Sequence, residues 1–158
     1  MKLVPYDRYE IRTALAPADA LARLATAVEP RRLLRKPFAA HATFQGKIGV
    51  EGFRIERIIG YRNSFLPELS GIVRGDRSGS VVAVTARLNT LVVVFLLAAL
   101  AVGIFACLVL AASALDGGVP DAAAAIPLLV ILVVVAVVEG AFWIEAALAK
   151  DALYALFR

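Results

Sequence analysis

The run "LVVVFLLAALAVGIFACLVLAASAL", residues 91–115, carries no charged side chain over 25 positions. As a helix it rises about 37 Å, enough to cross a hydrocarbon core of about 30 Å with some tilt. It has no polar face, so it fits a bilayer better than a half-exposed position in a soluble core. "DGGVPD", 116–121, is a turn by composition. "AAAAIPLLVILVVVAVVEGAFWIEAALA", 122–149, reads as a second span, interrupted only by Glu139 and Glu145. Two spans joined by so short a turn form an antiparallel hairpin, and residues 150–158 are left as a tail.

Charge gives the hairpin an orientation. Residues 1–90 hold 15 Lys+Arg against 8 Asp+Glu, whereas residues 91–158 hold 2 against 5. Arg74, Arg77 and Arg87 precede the first span, Lys150 and Arg158 follow the second, and the turn between has no basic residue. The excess of basic residues on the cytoplasmic side of membrane spans puts both termini in the cytoplasm. Trp143 and Tyr154 suit an aromatic belt at that face. Cys107 lies inside the first run and has no second cysteine to pair with, so no oxidising compartment is called for. "MKLVPYDRYEIR" lacks the apolar core of a cleaved signal, so export of residues 1–90 is not expected.

Residues 1–90 read as a cytoplasmic α+β domain. "RYEIRTAL", 8–15, alternates polar and apolar as a strand does. A helix is expected over about 17–29, opened by Pro17, carrying Leu21, Leu24 and Val28 on one stripe, and stopped by Pro30. "HATFQGKIGV" and "EGFRIERIIGY" are strand-like runs broken by glycines. In the second, Phe53 and Ile55 share one face and Arg54 and Glu56 the other. "PELSGIVRGDRSGSVVAVTARLN" is a hairpin turning at "GDRSG". The expected architecture is a small N-terminal antiparallel sheet with one covering helix, followed by the transmembrane α-helical hairpin.

Two stretches are chemically out of place. "EPRRLLRKPF" clusters Arg31, Arg32, Arg35 and Lys36. No aromatic residues accompany it in a base-stacking pattern, so nucleic acid is not expected. Beside a membrane, the cluster suits anionic lipid, and otherwise a solvated loop. "YRNSFLP", 61–67, sets Arg62, Asn63 and Ser64 beside Phe65, Leu66 and Pro67. Asn63 and Ser64 are turn formers, and Leu66 is extended ahead of Pro67. Phe65 and Leu66 either tuck under the sheet, dip into the bilayer surface or meet a partner.

"RIERIIGYRNSFLPELSGIV", together with "FQGKIGVEGF" and "PYDRYEIRT", resembles an uncharacterised family of bacterial two-span membrane proteins. Their shared pattern is R-x-I-x-YRNSFLP-x-x-x-G, matched here by Arg57, Ile59, Tyr61 to Pro67 and Gly71. Gly60 is the point of departure. The resemblance implies a bacterial protein with this layout, which with the charge pattern gives the bacterial inner membrane as its site, and no particular activity, cofactor or ligand.

No catalytic constellation stands out. His41 is the sole histidine and Cys107 the sole cysteine, so a His/Cys metal cluster is not expected. "GKIGVEG" lacks the Gly-Lys-Ser/Thr ending of a phosphate-binding loop, and no serine sits in a nucleophile elbow. Glu51, Glu56 and Glu68 read as a solvated sheet face. Glu139 is the exception, because a charge inside a span costs about 2.5–3.5 kcal/mol and faces protein or water. Gly140 beside it permits close helix approach, and Glu145 reads as interfacial. The candidate interaction residues are therefore Arg62, Asn63, Phe65, Leu66 and Glu139. The expected function is a non-enzymatic, cofactor-free, membrane-anchored interaction or assembly module. Its partners would be membrane lipid and either a second copy or a membrane protein. The alternative is an oligomeric effector or small channel component built from two-helix hairpins.

Overall fold

A computed structural model describes residues 5–31, 42–50, 52–61, 63, 65–115 and 126–158. The elements follow the order β1 (Tyr6–Thr13), α1 (Pro17–Thr26), β2 (Val28–Glu29), β3 (Phe44–Ile48), β4 (Gly52–Arg57), β5 (Glu68–Asp76), β6 (Gly79–Arg87), α2 (Thr90–Leu115) and α3 (Ile126–Phe157). The strands form one sheet in the order β1-β6-β5-β4-β3-β2. It is a mixed sheet, which corrects the all-antiparallel expectation: β2 pairs parallel to β3 through Val28 with Phe44 and Glu29 with Gln45. That pairing also ends α1 earlier than 29. The chain leaves the helix after Thr26, and the Phe44 amide donates to the Ala27 carbonyl.

Period-two alternation builds the sheet. Along β6, Ser80, Val82, Val84 and Ala86 are buried and the residues between them are not. Ile11 on β1, Leu69 and Val73 on β5, and Phe53 and Ile55 on β4 join the same face. Two close approaches need glycine. Gly79 has φ +141, and a Cβ there would run into the Thr13 carbonyl. Gly71 lies beneath the Phe53 ring, which occupies the space a side chain would take.

Two helices cover that apolar face rather than one. α1 starts at Pro17, with Asp19 in its first turn and Arg23 in its last, charges that suit the helix dipole. It seats Ala20 and Leu24 in the core. The other cover is the second half of α3. Val138, Phe142, Ala146, Ala149, Leu153 and Phe157 recur at spacings of three and four and are all buried with the sheet residues. Residues 150–157, expected as a tail, thus continue one 32-residue helix into the core. The opposite face of the sheet carries no helix among the described residues.

α2 and the first half of α3 are exposed and apolar almost throughout. Both helices are long and apolar enough to cross a membrane, over Thr90–Ser113 and Leu129–Phe157. They lie against each other, with Ile131 packed over Gly103. Val92 and Leu96 of α2 reach the core cluster, so the paired helices join the sheet domain at the end where β6 stops. The turn at 116–121 lies outside the described residues.

Candidate functional site

Arg57 is the last residue of β4 and continues the alternation of Phe53 and Ile55, so its side chain points to the helix-covered face. Glu145 lies on the buried stripe of α3 between Phe142 and Ala149, and is 2% exposed. The two meet. Arg57 Nη2 donates to Glu145 Oε2 at 2.7 Å and Nε donates to the same oxygen at 3.2 Å. The Tyr61 hydroxyl donates to Oε1. Both carboxylate oxygens are therefore occupied, and charge-assisted bonds of this kind are the stronger class. An isolated buried carboxylate would be costly, so this one needs the guanidinium opposite it. The cluster pins the loop after β4 to the middle of α3.

The rest of "YRNSFLP" builds the corner around this clamp. Asn63 Oδ1 accepts the Phe65 amide at 2.9 Å, the local turn its short side chain favours. Phe65 packs against the core, Leu66 is half-buried and Pro67 is fully buried. The structure does not describe Arg62 or Ser64. Among the described motif residues, Arg57 and Tyr61 hydrogen-bond to α3. The sequence held a signal for this cluster. Arg57 and Glu145 are opposite charges that each fall where the surrounding period calls for an apolar residue.

Glu139 lies six residues earlier on α3, half-buried. Its Oε2 accepts the Trp143 indole N–H at 2.8 Å, one helical turn along. It is the charged member of the lining of a cavity of about 350 Å³, walled by Pro5, Leu88, Leu97, Val134 and Val138. Trp143 in turn meets Phe142 edge-on, centroids 5.2 Å apart. Glu139 thus finds its polar neighbour within its own helix.

Arg31, two residues past β2, does not stand free. It makes a fork with Glu56, Nη2 to Oε2 at 2.5 Å and Nε to Oε1 at 3.1 Å. That bond, with the Glu56 charge, holds the guanidinium pKa above its ordinary value. Arg32, Arg35 and Lys36 lie outside the described residues, as does His41. Arg31, Lys47, Arg54, Glu56 and Glu68 line a groove of about 420 Å³ on the uncovered face of the sheet. On the covered face, Tyr9 stacks on Tyr154 at 6.3 Å, and the Lys150 ammonium sits 4.7 Å from the Tyr9 ring centre. Burial, with the Asp7 charge, pushes the Tyr9 phenol well above its ordinary value. Its hydroxyl is buried without a hydrogen-bond partner among the described residues.

Among the described residues no cluster of His, Cys, Asp or Glu is placed to hold a metal. What the geometry provides is mechanical: an ionic clamp joining a membrane-length helix to a sheet. Comparison with protein-family models, with curated proteins and with solved structures finds no match.

Proposed function

We propose that the chain is a non-enzymatic, membrane-anchored interaction module. α2 and the stretch of α3 up to about Glu145, roughly 30 Å of helix, cross the bacterial inner membrane as a hairpin, and the sheet domain stands on the cytoplasmic side with both termini. One observation carries this reading. α3 is a single helix whose first half is apolar and outward-facing and whose second half completes the core of the sheet domain. The Arg57–Glu145–Tyr61 cluster locks that junction. Such a build holds a binding domain at a fixed attitude to the bilayer, instead of on a flexible leash. The resemblance carried by Arg57, Ile59, Tyr61 and Gly71 to bacterial two-span proteins points the same way. The alternative, assembly around a pore, draws little support from α2, whose Ser113 hydroxyl bonds back to the Val109 and Leu110 carbonyls.

Cysteine labelling tests the topology. In a Cys107→Ser background, Gly118→Cys is expected to react with an impermeant maleimide in intact cells, and Arg31→Cys only after lysis. Labelling of Arg31→Cys from outside overturns the orientation. Release of the protein by alkaline carbonate overturns the anchor itself. Native mass of the detergent-solubilised protein then reads the assembly: a bound second protein supports the module, and a closed ring of copies supports the channel reading.

A further inference from the structure

The uncovered face of the sheet is the largest feature that the anchor and the clamp leave unused. Strand registers place its side chains in rows across the sheet. Arg8, Thr85, Ser70, Arg54 and Lys47 make one row. Nearer the long helices lie Arg87, Glu68 and Glu56. Toward the far turn come Glu10, Ala83 and Ile72, then Arg12, Val81 and Arg74.

The charges on this face do not balance. Glu56 is taken by Arg31, and Glu68 by Arg54 at 3.5 Å and Arg87 at 3.6 Å. Arg8, Arg12, Lys47 and Arg74 are exposed and have no acidic partner among the described residues. Glu10, Glu29 at the far edge on β2, and Asp76 at the β5–β6 turn are the other acids on this face, which leaves basic residues in excess around Arg12 and Arg74. Between the free cations runs a strip of small and apolar side chains, Val81, Ala83, Ile72 and Ser70. Ile72 is 40% exposed.

We infer that this face is the docking surface for an acidic amphipathic helix of a partner protein. The apolar strip takes the helix's apolar stripe, and Arg8, Arg12 and Arg74 take the carboxylates along its edges. The spacing fits. Arg12 and Arg74 are two strands apart, roughly 10 Å, and a helix with its side chains is about 10–12 Å across. The other face already holds two helices, so a helix here completes a third layer on the same sheet. Nucleic acid fits poorly, because Tyr6 is the aromatic residue at this face and offers no row of stacking platforms. Lipid fits poorly as well. The covered face lies along α3, so the sheet stands beside that helix, and the free arginines climb about 13 Å from Arg8 to Arg12 along the strand. The chain's own segment after Arg31 carries Arg32, Arg35 and Lys36 in its sequence, the same sign as the face. The inference deepens the anchored-module reading by naming its partner's chemistry, and rests on it only for the side of the membrane on which the partner is met.

The test uses the full chain in nanodiscs and a fluorescent peptide of about 18 residues, long enough to form a helix when bound. The peptide carries a Leu/Ala stripe flanked by Glu; its controls are a scrambled isomer and a Lys-for-Glu version. Fluorescence anisotropy is expected to show the Glu helix binding at least roughly tenfold tighter than either control, less so as salt rises from about 50 to about 300 mM. Arg12→Glu with Arg74→Glu is expected to weaken it at least about tenfold, while Arg23→Glu on α1 changes it less than about twofold. Equal binding of the scrambled isomer, or equal loss with Arg23→Glu, overturns the inference. So does a face variant that leaves the peptide bound but stops flotation with anionic vesicles, which would make the face a lipid site. Circular dichroism confirms that each variant is folded. Loss of this inference with the labelling pattern and carbonate resistance intact leaves the anchored module standing.

Discussion

At Glu145 one carboxylate is shared by Arg57 and Tyr61, 88 and 84 positions away in the sequence. Removing Glu145 leaves the part-buried Arg57 guanidinium unpaired, and removing Arg57 leaves the buried Glu145 carboxylate without its counter-charge, whereas Tyr61, 58% exposed, can turn to water. Glu145→Ala is expected to cost about 3–5 kcal/mol, the range for breaking a buried pair from one side. Glu145→Gln is expected to cost less, since its amide oxygen still accepts the Tyr61 hydroxyl. Replacing both charges, Arg57→Met with Glu145→Leu, is expected to recover most of the loss, because a well-packed apolar pair avoids the desolvation penalty. Chemical denaturation in detergent, followed by circular dichroism, checks all three. Additive losses in the double variant would mean that the two residues do not act as a pair. Tyr9 makes a second residue-scale case. Its phenol is raised from a value of 10.0 in the unfolded chain. Below that pH both states are protonated and stability does not depend on this group. Above it the unfolded chain loses the proton first, so stability falls as pH rises. Tyr9→Phe is expected to remove that alkaline loss, and to stabilise by about 1 kcal/mol at neutral pH by deleting an unpaired buried hydroxyl. Thermal melts from about pH 8 to about pH 11 read both effects.

α3 shows which elements the sequence made legible. The β5–β6 hairpin, the face holding Phe53 and Ile55 and the two apolar runs could be read directly, because each has a clean period or none. The second half of α3 could not. Its buried stripe from Val138 to Phe157 is set among Ile144, Leu148 and other outward apolar residues, so hydropathy does not separate the side facing the sheet from the side facing outward. The division at 149 followed Lys150, a charge that lies over Tyr9 instead of marking the end of a helix. β2 has two residues and no period to detect. The clamp was half visible: Arg57 and Glu145 interrupted apolar faces, but no rule of sequence spacing joins positions so far apart. In the corner "YRNSFLP", Phe65 is partly buried against the core and Pro67 is fully buried. Phe65→Ser is therefore expected to destabilise the domain. Leu153→Ala is expected to cost about 2–5 kcal/mol, the range for a fully buried Leu. Leu148→Ala, at a 45% exposed site, is expected to stay within about 0.5 kcal/mol. Equal losses at 148 and 153 would contradict the stripe.

Taken whole, the sheet and the second half of α3 share one core, so a cut between them divides that core. A fragment of residues 1–88 keeps every strand and α1 but loses Phe142, Ala146, Leu153 and Phe157 from the core. It is expected to bind hydrophobic dye and to lack a cooperative thermal transition, which near-ultraviolet circular dichroism and a melt would check. Addition of a synthetic peptide of residues 142–157 is expected to restore the transition at least in part. A fragment that melts cooperatively on its own would show that α3 is dispensable to the domain. The same arrangement sets an order on synthesis. Residues 142–157 leave the ribosome after α2 and the first part of α3, so in the proposed topology the sheet waits, unfinished, while those segments are inserted. In the proposed topology the hairpin enters the bilayer first and the cytoplasmic domain closes last. A copy whose hairpin fails to insert would expose an open apolar sheet to the quality-control proteases.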